Sequence, residues 1–367
     1  MLKDPIPLEQ VRRALVIKLR HHGDVLLAAP VLSALKRAAP HCEIDALVYE
    51  ETRPMLAHHP ALAELHGIDR RWKMQGIGAQ ARAEWALLAK LRERRYDLVI
   101  HLTEHRRGAW IARLTGARWT VAPQRPGRFW RKSFTHRYAK PLNARRHTVE
   151  RNLDALRRLG LQPAPRERAV VLVPGDAAEA RCQALLAAHR LPAKGFALLH
   201  MASRWHFKCW PADKAAALAD ALRARGLPVV LTAAPDPVEK ALIADILKAA
   251  GTPLIDLSGQ LSLLELAALA ARARLFVGVD SAPMHIAAAM GTPVVALFGP
   301  SGDQEWGPWQ APHRIVASHH HPCRPCGIDG CGGGKVSDCL ATLPVAQALA
   351  ACEELGVLPP SPARSIE

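Results

Sequence analysis

Three short segments bring together residue types and spacings that could carry acid–base and phosphate chemistry. In Lys18-Leu19-Arg20-His21-His22-Gly23-Asp24-Val25 a strand runs into a helix through Gly23, which permits a tight turn, with Asp24 at the helix start. A carboxylate at that point can take a proton from an attacking hydroxyl, although an Asp there also serves as a plain N-cap. In His200-Met201-Ala202-Ser203-Arg204-Trp205-His206-Phe207-Lys208-Cys209-Trp210-Pro211 a cationic loop precedes a helix opened by Pro211. Lys208 and Arg204 beside a helix N-terminus can neutralise a diphosphate without a metal; the same loop also reads as a solvated basic surface. In Val277-Gly278-Val279-Asp280-Ser281-Ala282-Pro283-Met284-His285 a strand ends at Asp280, Ser281 is placed to cap the helix and Pro283 fits its first turn. The exposed N–H groups and the helix dipole there make a seat for a diphosphate. The plainer alternative is a capped helix start with His285 satisfied by a neighbour.

Alternating β-rich and amphipathic helical runs position these segments, the signature of a parallel sheet. They begin with Ala14 to Leu19, Val25 to Ala38, Glu43 to Tyr49, Ala79 to Arg94 and Tyr96 to Leu102. The Pro-containing stretch 161–168 reads as a linker between an N-terminal domain, 1–160, and a second domain, 169–345, with a helix and tail over 346–367. In the second domain strands are expected at Val170 to Val173, Phe196 to His200, Pro228 to Thr232, Arg274 to Val279 and Pro293 to Phe298. Two doubly wound Rossmann-like domains facing across a cleft would bind ligands at the carboxyl ends of their strands.

Charge divides along the same line. The chain of 367 residues has a formal net charge of +16, and residues 1–160 hold the whole surplus, 31 Lys and Arg against 15 Asp and Glu. Such a basic half points to a polyanion or an anionic membrane surface. Hydrophobic residues make up 49% of the chain, which excludes intrinsic disorder. Met1 to Gln10 lacks the basic-then-apolar order of a secretory leader, so a cytoplasmic protein is expected. The stretch Glu104 to Arg146 carries twelve Lys or Arg and the single acid Glu104, interleaved with aromatics, which suits several phosphates and leaves a nucleic-acid reading open.

Other matches fail on context. Gly76-Ile77-Gly78 follows no convincing strand, there is no Asp-x-Asp pair to seat a divalent metal, and neither a Walker A loop nor a Gly-x-Ser-x-Gly elbow occurs. Cys323, Cys326, Cys331 and Cys339 enclose a glycine turn; only the first pair has zinc-knuckle spacing, so reduced thiols are the first expectation and a structural metal the alternative.

Taken together and in this order, the three segments resemble the lipopolysaccharide heptosyltransferases, transferases of the GT-B fold. Val16 to Leu27, Glu43 to Met55 and the Cys-rich Cys323 to Leu340 look most like the branch called heptosyltransferase III. The resemblance implies inverting transfer of a heptose from ADP-heptose to a heptose of the lipopolysaccharide inner core, with no cofactor required. It implies Asp24 as the base, and Gly23, Ser203, Lys208, Asp280, Ser281, Ala282 and His285 around the donor. Glu239, with Asp236 as an alternative, is the expected ribose-binding acid. His21, His22, Arg106, Arg107, Arg125, Arg128 and Lys132 are the expected acceptor contacts, on a peripheral enzyme at the inner membrane surface. Another nucleotide-sugar donor and a nucleic-acid-binding role are the alternatives.

Overall fold

The computed structural model describes residues 4–139 and 145–359, so Lys140 of the basic stripe and residues 360–367 of the expected tail lie outside them. The chain divides into two units, Met1–Val173 and Pro174–Glu367. Segment 161–168 lies within the first, where Arg168 meets Glu150 at 3.0 Å.

In the first unit the strands are β1 (Arg13–Ile17), β2 (Glu43–Tyr49), β3 (Leu62–Ile68), β4 (Leu98–His101), β5 (Trp119–Pro123) and β6 (His136–Tyr138). They form one parallel sheet in the order β3-β2-β1-β4-β5-β6. The connecting helices are α1 (His22–Leu26), α2 (Ala29–Ala38), α3 (Ile77–Glu93), α4 (Arg106–Leu114), α5 (Arg128–Ser133) and α6 (Thr148–Arg158). Both faces of the sheet are covered, which is why β1, β4 and β5 are almost wholly apolar and buried. Leu15, Ile17, Leu47 and Val99 pack with Trp130 and Phe134 in one core. At the amino ends of the strands a buried acid, Asp45, receives Arg94 at 2.8 Å and the Tyr96 hydroxyl at 2.6 Å. Burial alone would raise its pKa, but hydrogen bonds from His66, Arg94 and Tyr96 outweigh that and hold it at about 2.

The second unit repeats the plan with β7 (Ala197–His200), β8 (Val229–Leu231), β9 (Ile255–Asp256), β10 (Leu275–Val279), β11 (Val294–Phe298) and β12 (His313–Ala317). Its parallel order is β12-β11-β10-β7-β8-β9, so β7 and β10 flank its switch point as β1 and β4 flank the first. The helices that matter for the site are α7 (Asp176–Ala188), α8 (Ala212–Ala224), α9 (Pro237–Ala249), α10 (Leu263–Arg272) and α11 (Ala282–Ala289).

Several local expectations change. Val170 to Val173 forms no strand, because nothing in the sheet pairs with it. The single helix expected over Val25 to Ala38 is two, α1 and α2, broken at Leu27 and Ala28 just before Pro30 enters the first turn of α2. One reading stands unchanged: no strand precedes Gly76-Ile77-Gly78, and Arg70–Met74 form a 3-10 helix there.

Candidate active site

In the first unit the polar groups gather beyond the carboxyl ends of β1 and β4. His21, in extended backbone, is the N-cap of α1, which places Asp24 inside the first turn rather than at the cap. Gly23 lies within α1 and is not among the glycines with positive φ, so the extended His21, not Gly23, makes the sharp approach. Asp24 stands 3.9 Å from the Lys18 ammonium, with side chains 17% and 7% exposed. A buried ammonium needs fixed partners. Lys18 donates to Asn152 Oδ1 at 2.9 Å, and the amide of Asn152 donates in turn to the Leu27 carbonyl at the end of α1. Helix α6 therefore holds both the cation and the helix that presents Asp24. Sequence reasoning gave Lys18 and Asn152 no role; a lysine directly after an apolar strand was the available signal for the first, and nothing local marked the second.

The expected acceptor residues divide into two groups. His22 donates from its ring to the Glu51 carbonyl at 2.8 Å. Arg107 pairs with Glu84 at 2.5 Å, and Arg125 donates to the Glu104 carbonyl and lies over the Trp130 ring. Burial lowers the pKa of His105, and Arg20, Arg125 and Arg107 nearby lower it further. Arg20, to which sequence reasoning gave no role, thus joins a cationic cluster beside β4. Arg106, Arg128 and Lys132 are instead exposed on α4 and α5. Of the aromatics in the basic stripe, Trp119, Trp130 and Phe134 are buried, with Phe134 stacked on His101 at 5.8 Å, so they are core rather than a platform for bases.

In the second unit the loop after β7 crosses to the end of β10. Lys208, in a 3-10 turn over His206–Lys208, reaches Asp280 Oδ2 at 2.6 Å. Ser203 is buried, its hydroxyl accepting the Trp205 N–H at 3.3 Å. Ser281 occupies the N-cap position of α11, but its hydroxyl donates back to the Val279 carbonyl at 3.3 Å instead of capping. The first N–H groups of α11, from Ala282 onward, therefore carry no side-chain cap from Ser281. His285 is buried one turn further on, its ring 6.4 Å from that of Trp306.

Glu239 and Asp236 separate cleanly. Asp236 caps α9, accepting the N–H groups of Val238 and Glu239 at 2.9 and 3.2 Å. Glu239 is buried, with one oxygen on the Ala234 N–H at 2.9 Å, and burial is the main reason its pKa is raised. Cys323, Cys326 and Cys331 are exposed free thiols and Cys339 is a buried one. Among the described residues no group of three or more His, Cys, Asp or Glu is arranged to hold a metal ion.

Two parallel six-stranded units, each with its polar residues at the switch point, define an α/β protein of the GT-B fold. Residues 84–336 match the family model described as glycosyltransferase family 9 (heptosyltransferase). The chain belongs to that family and is a glycosyltransferase. It is 37% identical to lipopolysaccharide heptosyltransferase 3 of Escherichia coli over 295 residues, 79% of this chain and 84% of that one. Lipopolysaccharide heptosyltransferase 1 of Pseudomonas aeruginosa is 28% identical over 326 residues, 86% of each chain. Among solved structures, a family 9 glycosyl transferase from Veillonella parvula superposes with a TM-score of 0.81 at 24% identity, covering 96% of this chain and 98% of that one. The E. coli ADP-heptose lps heptosyltransferase II gives 0.74 at 21% identity, covering 94% and 98%. The family match begins at residue 84, after Asp24.

Proposed function

We propose that the protein transfers a heptose from ADP-heptose to a heptose of the lipopolysaccharide inner core, with inversion, at the cytoplasmic face of the inner membrane. The likeness to heptosyltransferase 3 over most of both chains carries this reading. In the scheme Asp24 accepts the proton of an acceptor hydroxyl as its oxygen bonds to the sugar carbon. The bond from that carbon to the diphosphate breaks, its electron pair leaves with ADP, and the Lys208 ammonium and the first N–H groups of α11 meet the charge that develops. Asp280 holds Lys208 in place, and Glu239 is the ribose acid, because Asp236 is engaged in capping α9. Gly23, Ser203, Ser281, Ala282 and His285 complete the donor contacts. On the acceptor side stand His21 and His22, which open the helix that carries Asp24, with Arg20, Arg106, Arg107, Arg125, Arg128 and Lys132 to meet anionic groups of the core.

The test is mass spectrometry of a core oligosaccharide lacking the branch heptose, before and after incubation with purified protein and ADP-heptose. A gain of one heptose is expected. No gain from protein whose melting temperature rises with ADP would move the acceptor assignment, and a rise with UDP rather than ADP would move the donor.

A further inference from the structure

Helix α3 is thinly covered: of its seventeen residues only Leu91 is buried. Between it, the 3-10 turn Arg70–Met74 and α4 lies a groove of about 580 Å³ lined by Trp72, Trp85, Leu88, Trp110, Ile111 and Leu114. Trp85 is 68% exposed and Trp110 52%, and beside them Met74 and Ile77 are 87% and 90% exposed. Three of the nine tryptophans of the chain line this one groove. Its rim is basic. Lys73, Arg82, Arg106 and Arg113 are exposed on these same elements, while Glu84, Asp69 and Glu51 are engaged by Arg107, Arg71 and Arg70.

From this we infer that the α3–α4 face is a membrane-docking surface that inserts Met74, Ile77, Trp85 and Trp110 among the headgroups of an anionic bilayer. Exposed tryptophans among cations suit the headgroup layer, where an indole keeps its ring apolar and its N–H wet while Lys and Arg meet lipid phosphates. A second copy of the chain fits less well, since a two-fold interface would press the same basic rim against itself. No helix among the described residues is long and apolar enough to cross a membrane, so the contact is superficial. The proposal rests on reading the acceptor as membrane-anchored and assigns that contact to one face.

Flotation of the full chain with phosphatidylcholine vesicles, with and without an anionic lipid, tests it. Binding is expected to be at least about ten-fold stronger to the anionic vesicles, with tryptophan emission quenched by brominated acyl chains. The double variant Met74→Glu with Trp85→Glu should lose about ten-fold or more of that binding. Its far-UV circular dichroism and its transfer to a delipidated, water-soluble core acceptor should stay unchanged. The proposal is overturned if the wild type does not float, if the variant floats equally, or if the variant instead abolishes self-association in sedimentation. Flotation uses no sugar substrate, so its failure leaves the transfer reading standing, and a failed transfer assay leaves the docking result standing.

Discussion

The proposed transfer assigns its two tasks to Asp24 and Lys208, and each can be removed without disturbing the other. Asp24→Asn keeps the size of the side chain but cannot accept the acceptor proton. Its kcat should fall by about 1,000-fold, within the range attributed to a general base, while ADP affinity moves by less than about two-fold. Normal turnover by this variant, measured in the oligosaccharide assay, would refute the base assignment. Lys208→Ala acts on the other side of the reaction. It removes an ammonium 2.6 Å from a nearly buried carboxylate, so a diphosphate placed there would meet Asp280 uncompensated. The Kd for ADP, titrated calorimetrically, should rise by about ten-fold or more, and Lys208→Arg should recover part of the loss. Both residues were singled out in the sequence because each lies in a short charged segment joining a strand to the helix that follows it. Asn152 was not, since its partners Lys18 and Leu27 lie 134 and 125 residues away and no spacing rule reaches that far.

Where an element packs closely, a single methyl group is enough to disturb it. Helix α4 passes over the end of β4 at Gly108, where an added Cβ would lie 2.1 Å from His101 Cε1. That ring cannot swing aside: it is fully buried, stacked on Phe134 and 5.7 Å from Trp130, and it donates to the His105 carbonyl. Gly108→Ala should therefore cost about 2 kcal/mol, read as a fall in Tm of about 5 °C in a thermal melt, and an unchanged Tm would show that the helix shifts freely. The elements that could be read from the sequence were those with apolar runs: β2 at Glu43–Tyr49 falls where it was expected, and β10 at Leu275–Val279 lies within the expected Arg274 to Val279. The short edge strands could not be read. β6 has three residues, His136–Tyr138, and β12 has five, of which only Val316 is buried, so pairing with β5 and β11 rather than local preference makes them strands. Likewise Val170 to Val173 has the composition of a strand but no neighbour to pair with.

Across the whole molecule, acid stability is limited by neutral histidines sealed into both units before the carboxylates matter. Burial lowers His59 to about 4, His101 to about 3 and His200 to about 4. The bonding of His59 requires the neutral ring: Nδ1 accepts the Ala61 N–H at 3.2 Å, leaving Nε2–H to donate to the Ser33 hydroxyl. Each folded pKa lies below the unfolded value near 6.5, so the unfolded chain binds more protons between the two. The stability these groups contribute is present above about pH 6.5 and is lost as pH falls toward their folded values. Between pH 7 and pH 5 each should remove about 2 kcal/mol, before Asp45, held at about 2, begins to titrate. The growing positive charge on a chain already at +16 also destabilises it in acid, but that repulsion is screened by salt, whereas protonation of a sealed ring is not. Urea unfolding at pH 7 and pH 5, with and without added sodium chloride, separates the two causes. A loss of stability that persists in salt assigns the acid limit to the buried histidines, and a loss that salt abolishes assigns it to the basic first unit.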